Sequence, residues 1–149
     1  MKSVVELNIA APQPLVAELL ANPARNAEWM DDIDQIESVN GKLGEVGSVY
    51  RMVPKPGGMR FTGTVLERNL PDSVQLRLDA KTVSVLVQVK FIHLSEQVTK
   101  LISEEQFTFK GTFNKIFSIF VRSAIKRAHR RHMESFKRFA EHESRKLRQ

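Results

Sequence analysis

Glu105 is the residue of this sequence best placed to do chemistry. It lies in the run Leu101 to Phe109, where the two-residue period of a strand puts Leu101, Ser103, Glu105, Phe107 and Phe109 on one face. A carboxyl among such neighbours is costly to bury unless it is protonated or paired. Glu105 is therefore either a pocket group that hydrogen-bonds a ligand or moves a proton, or a carboxylate turned to water at a sheet edge or bulge, or the partner of a strand cation such as Arg51. Tyr50, the sole Tyr, would orient a substrate if Glu105 were an acid/base; its alternative is a half-buried strand position with the hydroxyl in water. Trp29, the sole Trp, stands beside Met30 and serves either as the lid of a pocket or as core filling.

Other chemistries find less support. His129 and His132 are three apart and share a helix face. A metal there needs a further ligand, for which His93 and the group Asp31, Asp32 and Asp34 are the remote candidates, while Arg130 and Arg131 would repel a cation. The expectation is a surface or core histidine pair, with no metal and no cofactor. Asp31, Asp32, Asp34 and Glu37 read as a solvated turn, or as a contact for a basic partner. There is no Gly-rich phosphate loop, nucleophile elbow or paired-carboxylate signature. The absence of cysteine excludes disulfides, thiolate catalysis and Cys-ligated zinc.

The elements that must carry these residues can be read from periodicity. Val5, Leu7 and Ile9 alternate as a half-buried strand. Pro12 and Pro14 end it and open a helix through Leu15, Val16, Leu19 and Leu20. Asn22-Pro23 stops that helix and starts a second short one through Trp29 and Met30. From Ile33 to Lys110 the pattern is strands and turns: Ile33 to Asn40-Gly41, Val49 to Val53, a Pro54 to Gly58 loop, Met59 to Leu66 with Gly63 as a bulge or bend, Val74 to Leu78, Val83 to Phe91, and Leu101 to Phe109. No helices separate these strands, so the sheet is expected to be antiparallel.

A long amphipathic helix closes the chain. Thr112 is its expected N-cap. Phe113, Ile116, Phe117, Phe120, Ala124, Ala128, Met133, Phe136 and Ala140 make its apolar stripe. Beyond Ala140 the apolar signal fades, and 141–149 is expected to be a frayed basic tail. Residues 112–149 hold 11 Lys and Arg against 3 Glu, or +8, whereas residues 1–111 hold 12 basic and 14 acidic groups, or −2. Arg122, Lys126, Arg127, Arg130 and Arg131 are candidates for contact with a polyanion, an anionic membrane first and nucleic acid second. A chain of 149 residues with 42% hydrophobic content is expected to be one cytoplasmic domain, with at most a peripheral membrane contact.

The motifs Ile9-Ala10-Ala11-Pro12, Val16, Leu19-Leu20, Asn22-Pro23, Glu28-Trp29-Met30, Gly44 and Gly47-Ser48-Val49-Tyr50 carry a resemblance over essentially the whole chain. In this order, the sequence resembles the helix-grip fold of the START/Bet v 1-like (SRPBCC) superfamily, in particular its bacterial polyketide cyclase/dehydrase and lipid-transport branch. The resemblance implies an α+β fold, a curved antiparallel sheet of six to seven strands around a long C-terminal helix, with two short helices after the first strand. It implies a cavity between sheet and helix for a lipid, isoprenoid quinone or polyketide-like molecule. The walls expected are Trp29, Met30, Tyr50, Met52, Met59 and Phe61 on one side, and Ser103, Glu105, Phe107, Phe113, Phe117 and Phe120 on the other. Three readings follow: a carrier or sensor of a hydrophobic small molecule, a cyclase or dehydratase using Glu105 and Tyr50, and a polyanion-binding protein using the basic helix.

Overall fold

The computed structural model describes residues 1–111 and 115–149, with the side chains of 115–118 left aside. The expected N-cap at Thr112 and the wall positions Phe113 and Phe117 lie outside the described residues.

Seven strands form one sheet in the order β1-β7-β6-β5-β4-β3-β2. They are β1 (Lys2–Ile9), β2 (Ile33–Asn40), β3 (Val49–Pro54), β4 (Phe61–Asn69), β5 (Ser73–Asp79), β6 (Val83–Ser95) and β7 (Val98–Phe109). Every neighbouring pair is antiparallel. Only the β1–β7 pairing joins strands distant in sequence, which brings the N-terminus beside the last strand. Helix α1 (Gln13–Ala21) and a 3₁₀ helix (Pro23–Glu28) follow β1, and α2 (Lys115–Leu147) closes the chain. The Asn22-Pro23 signal works as the sequence suggests: the Asn22 side chain accepts from the Ala24 N–H at 3.1 Å, and Pro23 occupies the first turn. Gly41, at φ 77°, a backbone conformation that favours glycine, ends β2, but the tight turn that Asn40-Gly41 suggests is instead an eight-residue connection, 41–48, leading to β3.

The core lies where α1, the C-terminal half of α2 and the concave face of the sheet meet. Val5, Ile9, Val16, Leu101, Phe136 and Ala140 are buried there. At 1.5 Å per residue, the 33-residue α2 is roughly 50 Å long. Its C-terminal end is tied down. Glu141 Oε2 accepts from the Ala10 N–H at 2.8 Å, Glu143 pairs with Arg25 at 3.3 Å, and Ser144 is buried. The expected fraying of 141–149 is thus corrected: the helix stays regular to Leu147, because polar and ionic contacts replace the missing apolar ones.

Gly63 also differs from expectation. It sits in unbroken register opposite Tyr50, and the irregularity of β4 falls between Val65 and Glu67. Glycine is required at 63 for space, since a Cβ there would lie 2.3 Å from Tyr50 Cζ. Tyr50 is itself 1% exposed, where the sequence allowed its hydroxyl in water. The ring occupies the space that a side chain at 63 on the neighbouring strand would need. Gly63→Ala is expected to destabilise the fold by about 1–3 kcal/mol through overpacking, read as a lowered thermal midpoint; an unchanged midpoint would contradict this packing.

Candidate functional site

The sheet curls away from the N-terminal half of α2, and the space between them is open. A middle chamber of about 240 Å³ is walled by Met30, Ile33, Met52, Met59, Phe61, Leu78, Val85 and Phe107, with Ile125, Ala128, His129 and His132 of α2 across from them. An inner chamber of about 60 Å³ lies toward the 3₁₀ helix, bordered by Trp29, Tyr50, Leu76, Val87, Ser103 and Met133. Both share Met30, Met52, Leu78, Glu105 and His132. An outer space of about 350 Å³ continues past Phe61 and Phe107 to Val83, Phe109, Val121 and Ile125.

Of the wall residues expected from sequence, Trp29, Met30, Tyr50, Met52, Met59, Phe61, Ser103, Glu105 and Phe107 all border these chambers. Phe120 does not: it is 71% exposed, and that expectation is corrected. Sixteen residues at about 100° each place it roughly 160° from the buried Phe136. Val121 and Ile125, which the reading passed over, share the phase of Phe136 and face the cavity. Counting back from Met133, Phe136 and Ala140 would have found them.

Glu105 stands where the inner and middle chambers meet, on the face its strand parity dictated. Its side chain is 18% exposed, His129 Nε2 lies 3.8 Å from its Oε2, and it makes no hydrogen bond among the described residues. Arg51, the alternative partner, pairs with Glu37 at 3.2 Å instead. Burial pushes the Glu105 carboxyl up to about 7, against a smaller opposite pull from His132. The group therefore holds or releases a proton near neutral pH.

His129 was not singled out by itself in the sequence, yet it organises the site. It is 1% exposed, with Nε2 2.9 Å from Ser103 Oγ and Nδ1 2.8 Å from Ser3 Oγ. Those hydroxyls belong to β7 and β1, so one imidazole ties α2 to two neighbouring strands. Burial pulls its pKa down to about 4, with His132 and Arg130 adding to the effect. A neutral imidazole has one donor and one acceptor, which matches two hydroxyl partners. The Ser103–His129 contact resembles a nucleophile and its base in distance alone. A hydroxyl at Nδ1 cannot stabilise an imidazolium as a buried carboxylate does, so the arrangement serves structure.

Three further polar groups reach the cavity. His132 Nε2 lies 3.3 Å from Asp32 Oδ1, and this imidazole holds the Asp32 carboxyl below its usual range. Asp31, Asp32 and His132 place donor atoms within 4.8 Å of one another, joining two parts of the chain that the sequence left remote. Asp32 remains half exposed, as a solvated turn would be. Trp29 is neither lid nor core alone. Its ring packs edge-on against Phe136 with centroids 5.2 Å apart, while its Nε1 is buried without a hydrogen-bond partner. Burial pushes the Tyr50 phenol above its ordinary value and keeps it a neutral hydroxyl.

On the outer side of α2, Arg122, Lys126, Arg127, Arg130 and Arg131 are exposed. Arg130 meets Glu134 at 3.5 Å and Arg127 donates to Ser123 Oγ at 2.6 Å. Ile119 and Phe120 are exposed at 65% and 71% beside this basic face. Among the described residues, no helix is long and apolar enough to cross a membrane.

No family model matches the sequence, and no curated protein matches it. Solved structures do. The Zhui aromatase/cyclase from Streptomyces sp. R1128 superposes with a TM-score of 0.76 at 17% identity, covering 95% of this chain and 93% of that one. A START superfamily protein from Mycobacterium smegmatis gives 0.74 at 12% identity, covering 98% of each chain. The major latex-like protein 151 from Panax ginseng gives 0.72 at 15% identity, covering 97% of each. The fold is the START/Bet v 1-like helix-grip fold.

Glu105 supplies a test of this geometry. Its pKa rises from 4.5 to about 7 on folding. A carboxyl with a raised folded pKa favours folding below the unfolded value and loses that advantage as pH climbs through the folded one. Glu105→Gln removes the titration and leaves His129 in place. The stability gain of the variant over the parent should grow between pH 4.5 and 7, reaching roughly 3 kcal/mol. Denaturant unfolding at pH 5 and pH 8 measures it. Equal differences at both pH values would mean that Glu105 is solvated.

Proposed function

We propose that this START/Bet v 1-like chain binds an apolar small molecule, of lipid, isoprenoid-quinone or polyketide type, in the space between the sheet and α2. The observation that carries the proposal is the run of three adjoining chambers with apolar walls and a single band of polar groups around Glu105 and His132. A ligand there gains about 2.5 kcal/mol for each 100 Å² of apolar surface removed from water, less the cost of association. Met30, Met52 and Met59 give the wall side chains that can adapt to different shapes.

The test is ligand retention. Native mass spectrometry after exposure to lipid and quinone extracts should show a discrete added mass. Ala128→Phe, which fills the middle chamber from α2, should lower retention at least tenfold with an unchanged circular dichroism spectrum. Retention by the variant equal to the parent, or none by the parent across the extracts, would remove the proposal.

A second reading, a cyclase or dehydratase acting on an aromatic or polyketide-like substrate, is favoured by a near-neutral Glu105 carboxyl facing the cavity. Tyr50 borders the same inner chamber as a donor. Here Glu105→Gln should abolish turnover of a poly-β-ketone thioester while leaving its binding intact; undiminished turnover excludes the mechanism.

The exposed Ile119 and Phe120 beside Arg122 and Lys126 further support a peripheral membrane contact through α2. Each basic residue near an anionic surface contributes about 1 kcal/mol. Co-sedimentation with phosphatidylserine vesicles, lost in Phe120→Glu, is the expected result. Equal sedimentation of both proteins would remove that contact.

A further inference from the structure

Resting on the binding reading, we infer that the ligand enters head first, with an uncharged, oxygen-bearing head group seated in the inner chamber against Trp29 Nε1 and its apolar remainder lying toward Phe107 and Val83. Three observations converge on this orientation.

The first is an unmet donor. Among the described residues, the buried side-chain atoms without a well-formed hydrogen bond are Trp29 Nε1 and His132 Nε2, and His132 Nε2 still has Asp32 Oδ1 at 3.3 Å, which leaves the indole as the unmet donor. Both residues border the inner chamber. An indole N–H can only donate, and Trp29 is 7% exposed, so bulk water does not serve it. What completes it is an acceptor placed in that chamber.

The second is charge. No Lys or Arg borders the inner, middle or outer chamber among the described residues, whereas Glu105 and Asp32 do. A carboxylate or phosphate head would pass Asp32 of the middle chamber and sit beside Glu105 in the inner one, with no Lys or Arg there as counter-ion. An ammonium head would suit Glu105 but brings no acceptor for the indole. A carbonyl or hydroxyl oxygen meets the donor and leaves no charge unpaired.

The third is the gradient of size and polarity. The inner chamber, at about 60 Å³, has room for a small head group or a few waters. The outer space is larger and is walled by Phe61, Val83, Phe107, Phe109, Val121 and Ile125. A polar head in the outer space would find Thr82 alone among polar side chains.

Trp29 is the sole Trp, so its emission reports the head-group position directly. A matched series of cyclododecane, 2-dodecanone, 1-dodecanol, dodecanoate and dodecylamine is titrated, with affinities read separately by displacement of the neutral dye Nile red. The ketone and the alcohol are expected to bind at least tenfold tighter than the carboxylate and the amine, and to shift Trp29 emission to longer wavelength. Trp29→Phe is expected to lower ketone affinity about tenfold while changing cyclododecane affinity less than twofold. The wild-type series stands by itself should that variant fold poorly. Cyclododecane binding as tightly as the ketone, carboxylate or amine binding best, or ketone binding without an emission shift would each overturn the orientation and leave cavity binding standing. Failure of the whole series and of Nile red to bind would remove both.

Discussion

The structure depends on α2 being held to the sheet over its C-terminal half and standing off from it over the rest. Met133, Phe136 and Ala140 bury themselves against β1, α1 and the sheet. Glu141 and Glu143 fix the far end to Ala10 and Arg25. Among the described residues of α2, His129 is the last toward the N-terminus that makes a buried polar contact with the strands. Beyond it, Ala128, Ile125 and Val121 face open space. Had the stripe packed down along the full length of the helix, there would be no cavity and no site. The His129 bridge marks where packing gives way to void, and its two hydroxyl partners make that boundary a fixed one.

The polar groups of the interior fall into two kinds with opposite consequences. His129 is fully satisfied, neutral and buried, so it strengthens the fold and offers nothing to a ligand. Glu105, two residues along β7 from Ser103, is largely buried without a hydrogen bond, Trp29 Nε1 is buried without a partner, and His132 Nε2 has only Asp32 Oδ1 at 3.3 Å. Groups left in that state cost stability, and the well-packed core around Leu101 and Phe136 offsets the cost. Unsatisfied groups gathered around one void, rather than scattered through the core, are what a binding site looks like before its ligand is considered.

Much of this architecture could be read from the residues because its signals are local. Alternation gave the strands, Asn40-Gly41 the end of β2, and Asn22-Pro23 the break between the helices. Strand parity placed Glu105 on the inner face beside Ser103 and Phe107. What could not be read was set by distance in sequence or by accumulated phase. His129 meets Ser3 across 126 positions, a pairing that depends on β1 lying beside β7. Gly63 looked like a bend, and its true cause is a ring on the neighbouring strand. Phe120 belonged to the apolar stripe only if small errors in helical angle were ignored over four turns. The ordered end of α2 came from a hydrogen bond with the Ala10 N–H and an ion pair with Arg25, both more than a hundred positions away, which no apolar count could register.

Solved structures at 12–17% identity share this envelope with hardly any of its side chains. The envelope requires a curved sheet, a long helix and two short plugs, and many sequences provide these. It does not require a carboxyl at 105, an indole at 29 or methionines at 30, 52 and 59. Those choices give a cavity its chemistry, because an apolar wall accepts almost any greasy molecule of suitable size, whereas an unpaired donor or a desolvated acid discriminates sharply among head groups. If the cavity binds a ligand as proposed, selectivity would arise from a few polar atoms at its inner end, and the apolar remainder would set how much affinity is available for them to divide.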